Sequence, residues 1–327
     1  MRMRQAIELA GVIILGMGSA LATGPQLGNA SVNLRLAGPN RPANVPAGYV
    51  VTPAGYFHPS CVQNLARGER LMSDGRIQHA DGSVEPSAAV CAYPRYTGAG
   101  IAVLPGRTSG GANTPAPEIS GWLESAAIAT GSTTQSYGGL VARWTVPFAP
   151  RRDDGQVLFY FPGLEDIYNT QSILQPVLAW GSGQWSIASW NCCLNGIVTS
   201  SPGVNVSPGD RIYGSVTNTC PAGTLTCGTW NVLSVDLTTG DSTVLADTPS
   251  GGQTFDWAFG GVLEPYYVVA CDDFPPGRRF DFEDITVFNE ALQPVKRPQW
   301  ASSTDTSATP RCDYRVETTD RSVMLNY

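Results

Sequence analysis

The chain has 327 residues, 36 glycines, 25 prolines, eight cysteines, two histidines and a formal net charge of −7, with few charged groups overall. Its one lysine, Lys296, and the lack of a basic patch argue against a nucleic-acid partner. No C-x-x-C pair occurs and the histidines are His58 and His79 alone, so zinc is not expected and the cysteines read as disulfides of an exported protein.

Taken in order, MRMRQAIELAGVIILGMGSALATG has a positive start, a short apolar core and an Ala20-Leu21-Ala22 cleavage site. That pattern predicts a signal peptide over residues 1–22, with a secreted, extracellular product and no membrane contact after its removal. Residues 23–46 are polar and rich in Gly, Asn and Pro. Residues 47–107 carry TPAGYFHPSC and CAYPRY, and TSGGANTPAP at 108–117 is a linker by composition. From 118 to 293 short strand signals recur between turns: LVARWTVP, GQVLFYFPG, SILQPVLAW, QWSIASW, DRIYGSVT, TWNVLSVDL, FDWAFGGVLEPYYVV and DITVFN. The predicted fold is all-β, an antiparallel β-sandwich of jelly-roll, concanavalin A-like form. Four parts are expected: the signal at 1–22, an N-terminal segment with linker at 23–115, the sandwich at 116–295 and a tail at 296–327. Cys61 with Cys91 and Cys220 with Cys227 are the expected bridges; the other four cysteines are left unpaired by sequence.

Residues 23–115 hold seven arginines against four acidic residues, while 116–327 hold 11 Lys+Arg against 22 Asp+Glu. A basic, stapled segment before an acidic domain fits either a propeptide acting as the chain's own inhibitor or a small accessory domain.

The predicted sandwich has no histidine, which removes Ser-His-Asp and Cys-His catalysis and any His-held metal from it. Catalysis there would rest on carboxyl and amide groups: a carboxylate to move the proton of water, an amide N–H to hold the oxyanion. Glu264, in GGVLEPYYV, stands among apolar and aromatic residues that would desolvate it and raise its pKa. Its plainer reading is an outward strand residue. The acidic run CDDFPPGRRFDFED reads as a solvated turn, with no calcium-loop spacing. No metal or other cofactor is expected.

Several of these stretches, in this order, resemble the glutamic peptidases, the eqolisin family of secreted acid proteases. ARWTVP at 142–147 matches the family's first strand, FPGLED at 161–166 its W-x-G-I-D-G, and SILQPV at 172–177 its I-L-Q run. VSPGDRIYGSVT, SVDLTTGDSTV, GGVLEPYYV and DITVFNEA follow in the family's order, so the resemblance spans roughly 117–295. It implies an acid-acting endopeptidase cutting polypeptide. Gln175 would stabilise the oxyanion, Glu264 would be general base and acid, and Glu165 a supporting carboxyl. Phe161, Trp180 and Trp190 would line the groove. Phe161 replaces the family's tryptophan and Glu165 its aspartate, and Pro176 and Pro265 should fall at strand edges, ends or bulges.

Three other readings remain. Trp180, Trp185, Trp190 and Tyr266 could stack on sugars in a lectin-like sandwich. The chain could be an inactive peptidase homologue. A glycosidase or two-glutamate peptidase would need Glu165 and Glu264 to face each other. In the peptidase reading, acid would charge His58 and His79, loosen the N-terminal segment and permit cleavage near 108–117.

Overall fold

The computed structural model describes residues 36–38, 40–86, 90–104, 121–167 and 173–327. The expected signal, the linker at 108–117 and Gln171 lie outside the described residues. In the first part of the chain the strands are β1 (Val50–Thr52), β2 (Gly55–Phe57), β3 (Val62–Asn64), β4 (Arg70–Leu71), β5 (Ile77–Gln78), β6 (Arg95–Tyr96) and β7 (Ala102–Val103). Then come β8 (Glu124–Ala129), β9 (Tyr137–Thr145), β10 (Val157–Glu165), β11 (Ile173–Gly181), β12 (Gln184–Cys192), β13 (Val198–Ser200), β14 (Val204–Val206) and β15 (Arg211–Asn218). The last are β16 (Thr229–Asp236), β17 (Ser242–Pro249), β18 (Trp257–Tyr266), β19 (Arg279–Asn289), β20 (Ala301–Thr304), β21 (Arg315–Thr319) and β22 (Ser322–Asn326).

Two large sheets form an antiparallel β-sandwich. One runs β20-β8-β18-β10-β11-β12-β13-β3, with β14 also on β12; the other runs β17-β16-β15-β9-β19-β22-β21. Alternation decides what each strand buries. On β10 and β11 the even-numbered Leu158, Tyr160, Leu164, Leu174, Leu178 and Trp180 enter the core between the sheets, with Leu140, Trp144 and Val216 from the other side. The odd-numbered Phe159, Phe161, Ile173 and Val177, with Trp190, Val262 and Tyr266, form a second apolar cluster on the outer face of the first sheet. Each such fully buried side chain contributes about 1.5–3 kcal/mol. The β11–β12 hairpin turns at Ser182 and Gly183, both at positive φ (54° and 73°), the two-residue turn that matches strand twist.

The N-terminal segment has two parts. A four-stranded sheet, β1-β2-β6-β7, covers the outer face, adding Val51, Tyr56 and Phe57 to its cluster. Between these strands in sequence, β3 joins the edge of the first sheet parallel to β13, Val62 opposite Val198, and the β4–β5 hairpin follows. Leu65 and Leu71 enter the core between the sheets. At the other end, residues expected as a tail supply β20 to the first sheet and β21 and β22 to the second. The disulfides are Cys61–Cys91 and Cys220–Cys227, as read from sequence, together with Cys192–Cys193 and Cys271–Cys312. No helix among the described residues is long and apolar enough to cross a membrane.

Candidate active site

Gln175, Glu165, Phe161, Trp190 and Glu264 all sit on the covered outer face, and each is buried. Trp180 does not. It lies five residues from Gln175 on one strand, so it points the other way and packs against Trp185 inside the sandwich, ring centroids 5.2 Å apart. The groove-lining role read for Trp180 is therefore corrected, and the four-aromatic sugar platform is reduced to Trp190 and Tyr266.

The register also sets Gln175 and Glu264 apart. Glu264 is opposite Phe159, which is opposite Ala179; Gln175 is four residues further along β11. That is about 13 Å along the strand, with β10 between. Aromatic rings fill the gap: Phe161 and Phe259 lie 6.0 Å apart, and Trp122 stands over both at 5.7 and 5.0 Å. Glu165, by contrast, is opposite Ile173 and so is the diagonal neighbour of Gln175, within side-chain reach. Glu165 and Glu264 are six residues apart on neighbouring strands, about 20 Å, too far for a carboxyl pair sharing one bond.

Around Gln175 the ladder is interrupted. Register continues from Tyr160–Leu178 to Leu164–Leu174 without paired residues between them, and Pro162 and Pro176 fall in that gap. Pro176 thus sits inside a central strand rather than at an edge or end, its missing N–H accommodated by the gap. Pro265 is next to last in β18, near a strand end as expected. Gly163 is needed here: a Cβ would stand 2.4 Å from the Leu174 carbonyl and 2.5 Å from the Phe259 ring.

What occupies the face is the chain itself. The Gln175 Nε2 donates to the Pro53 carbonyl at 3.3 Å, and Pro53 belongs to the two-residue turn between β1 and β2. The Tyr56 ring meets Tyr266 edge-on at 5.3 Å. Tyr266 donates from its hydroxyl to Glu264 Oε1. Burial pushes the Glu264 pKa up to about 8, opposed by the Tyr266 hydrogen bond, the Arg95 guanidinium of the N-terminal segment and the Trp122 indole. Beyond the far end of β10, burial lifts Asp256 to about 6; the Ile167 N–H opposes this and the nearby Asp166 adds to it.

Sequence reasoning missed Pro53, Arg95, Trp122 and Phe259. None of them carries a local signal: Pro53, Arg95 and Trp122 lie on no strand shared with the site residues, and a bulge between Phe259 and Gly261 breaks the alternation that would relate Phe259 to Glu264. Gln184 is exposed, bonded to the Val206 carbonyl at 3.1 Å. The histidines were expected to act between the two parts, yet both are satisfied inside the N-terminal segment. His79 meets Glu69 at 2.6 Å and Glu85 at 3.3 Å, and His58 stacks on Tyr93 at 3.7 Å.

No family model and no curated protein matches the chain. Among solved structures it is similar to scytalido-glutamic peptidase with a peptide-based transition state analog, at 18% identity and a TM-score of 0.46, over 63% of this chain and 98% of that one. SCP-B, a member of the eqolisin family of peptidases in a complex with the tripeptide Ala-Ile-His, is similar at 18% identity and a TM-score of 0.44, over the same shares.

Proposed function

We propose that the protein is a secreted, acid-acting endopeptidase of the glutamic type, closed by its own N-terminal segment. One observation carries the reading: a buried glutamine amide on the groove face donates to a peptide carbonyl, the contact an oxyanion-holding amide makes with its substrate. The disulfides support work outside the cell.

The carboxyl assigned to water is Glu165 rather than Glu264. Glu165 is the diagonal neighbour of Gln175, whereas Glu264 stands behind the aromatic rings. Glu165 takes a proton from water as its oxygen bonds to the carbonyl carbon. The carbonyl electrons move to the oxygen held by Gln175. The C–N bond then breaks and the Glu165 proton passes to the leaving amine. Glu264 serves the closed state, facing Arg95.

The test is proteolysis of a denatured protein from pH 3 to pH 7 by wild type, Gln175→Ala, Glu165→Gln and Glu264→Gln. Loss of the amide is expected to lower turnover about 10²- to 10³-fold, with Glu165→Gln as severe and Glu264→Gln much milder. Cleavage by none of these forms, nor by wild type carrying Gly55→Ala to unseat the cover, would sink the reading and leave an inactive homologue.

A further inference from the structure

The turn seated on Gln175 is Thr52-Pro53-Ala54-Gly55, and its residues are not interchangeable. Thr52 and Pro53 are buried, Ala54 is half-buried, and the carbonyl on the glutamine amide is the prolyl one. Proline brings a fixed φ and no N–H, so it enters an apolar seat without a donor to satisfy and with little backbone freedom left to lose. The face around it, with Phe161, Val177 and Trp190, is apolar.

We propose that this seat is the substrate's prolyl subsite: the enzyme takes polypeptides with proline on the carbonyl side of the bond to be cut, followed by a small residue. The inference rests on the peptidase reading and adds the substrate class to it. The chain's own turn shares the recognised residue but not a substrate's extended course. Thr52 pairs with Gly55, and the Thr52 hydroxyl donates to the Gly55 carbonyl at 3.0 Å, so the chain folds back directly after Ala54. Gly55 has φ of 106°, and a Cβ there would lie 2.1 Å from the Tyr96 carbonyl. The return strand β2 is held between β1 and β6 in the covering sheet. An extended substrate would run on along the face, whereas the turn fills the subsite and stops.

The experiment compares the hexapeptide Val-Thr-Pro-Ala-Gly-Tyr with its counterpart carrying alanine for proline, with cut positions read by mass spectrometry from pH 3 to pH 7. The full chain and its Gly55→Ala variant, which unseats the turn, are both used, with circular dichroism checking the fold, so latency is not mistaken for inactivity. The expected result is cleavage between Pro and Ala, with the prolyl peptide cut roughly tenfold faster or more. Equal rates, or cuts elsewhere, overturn the prolyl subsite while the peptidase reading stands. If neither peptide nor a denatured protein is cut by either form, the peptidase reading itself falls and takes the subsite with it.

Discussion

The N-terminal segment holds to the sandwich in two unlike ways. Its covering part, β1-β2 with β6-β7, lies on the groove face through aromatic edges and a turn. Its inner part, residues 61–86, is built in: β3 is an edge strand of the first sheet, the Leu65 N–H donates to the Ser200 carbonyl at 2.9 Å, and Leu65 and Leu71 are core residues. The Cys61–Cys91 bridge joins the two parts where they meet. A segment organised this way cannot be stripped off whole like a lid. Opening the groove requires the cover to leave while the inner part stays as a piece of the fold.

The largest effect that tests this division is in the core. Leu65→Ala and Leu71→Ala should each lower global stability by about 2–5 kcal/mol in denaturant unfolding, although both lie far from the groove in sequence terms and within the part that resembles a propeptide. Val51→Ala, on the cover, should leave the main transition nearly unmoved. Equal losses at all three would mean that cover and inner part unfold as one.

Next in size is a pH effect that separates the core from the groove. Burial raises Glu124, between the sheets, to about 8 from 4.5, opposed by the Arg315 and Asn326 backbone N–H groups and the Arg315 charge. A carboxyl with a raised folded pKa favours the protonated fold. Its stabilisation is full below the unfolded value of about 4.5 and lost as pH climbs from there to about 8. The loss is on the order of several kcal/mol, and Glu264 adds to it over the same window. The thermal midpoint should therefore be highest in acid and fall towards neutrality. Glu124→Gln should flatten most of that slope in the core's transition; Glu264→Gln should act chiefly on the cover. A midpoint that rises between pH 4.5 and 8 would contradict both.

Much of this architecture was legible in sequence, and the failures have physical causes. Period-two alternation gave the strands and the β11–β12 hairpin, and the family resemblance placed Phe161 and Glu165 at the groove. Alternation also contained the answer on Trp180: on a strand without a bulge, such as β11, an odd separation from Gln175 forbids a common face, whatever a family pattern implies. The distance between Gln175 and Glu264 was not legible, because it depends on how β18 registers against β10 some hundred positions away in the chain. A register shift between Phe259 and Gly261 against β8 adds to the difficulty. The docking of Pro53 on Gln175 is a contact 122 residues apart in sequence and left no local signal. Residues 296–327 read as a tail because the family resemblance stops near 295; β20 and β21 are polar and largely exposed, whereas β22 carries a legible alternation with Val323 and Leu325 buried.

A smaller effect acts on the cover alone. Gly55→Ala adds a Cβ at a position where φ is 106° and the Tyr96 carbonyl leaves no room. The strain should cost the cover more than about 1 kcal/mol and unseat the turn from Gln175, while the sandwich transition stays close to that of the wild type. Hydrogen exchange at β1 and β2 should rise, and activity with it. Rising exchange without any gain in proteolysis would separate the cover's departure from the opening of a working site.

The smallest effect decides what holds the inner part. The basic segment and acidic domain suggest attraction between opposite charges, and Arg70 does lie 3.8 Å from Asp247, but both side chains are about half exposed (51% and 52%). Such pairs contribute about 0–1 kcal/mol and weaken in salt. Arg70 and Leu71 are neighbours on the two-residue β4, one facing water and the other the core. Arg70→Ala should shift the unfolding midpoint by less than a quarter of the Leu71→Ala shift, and 0.5 M salt should not detach the segment. If salt or Arg70→Ala released it, charge rather than burial would be the hold, and the inner part would be as removable as the cover.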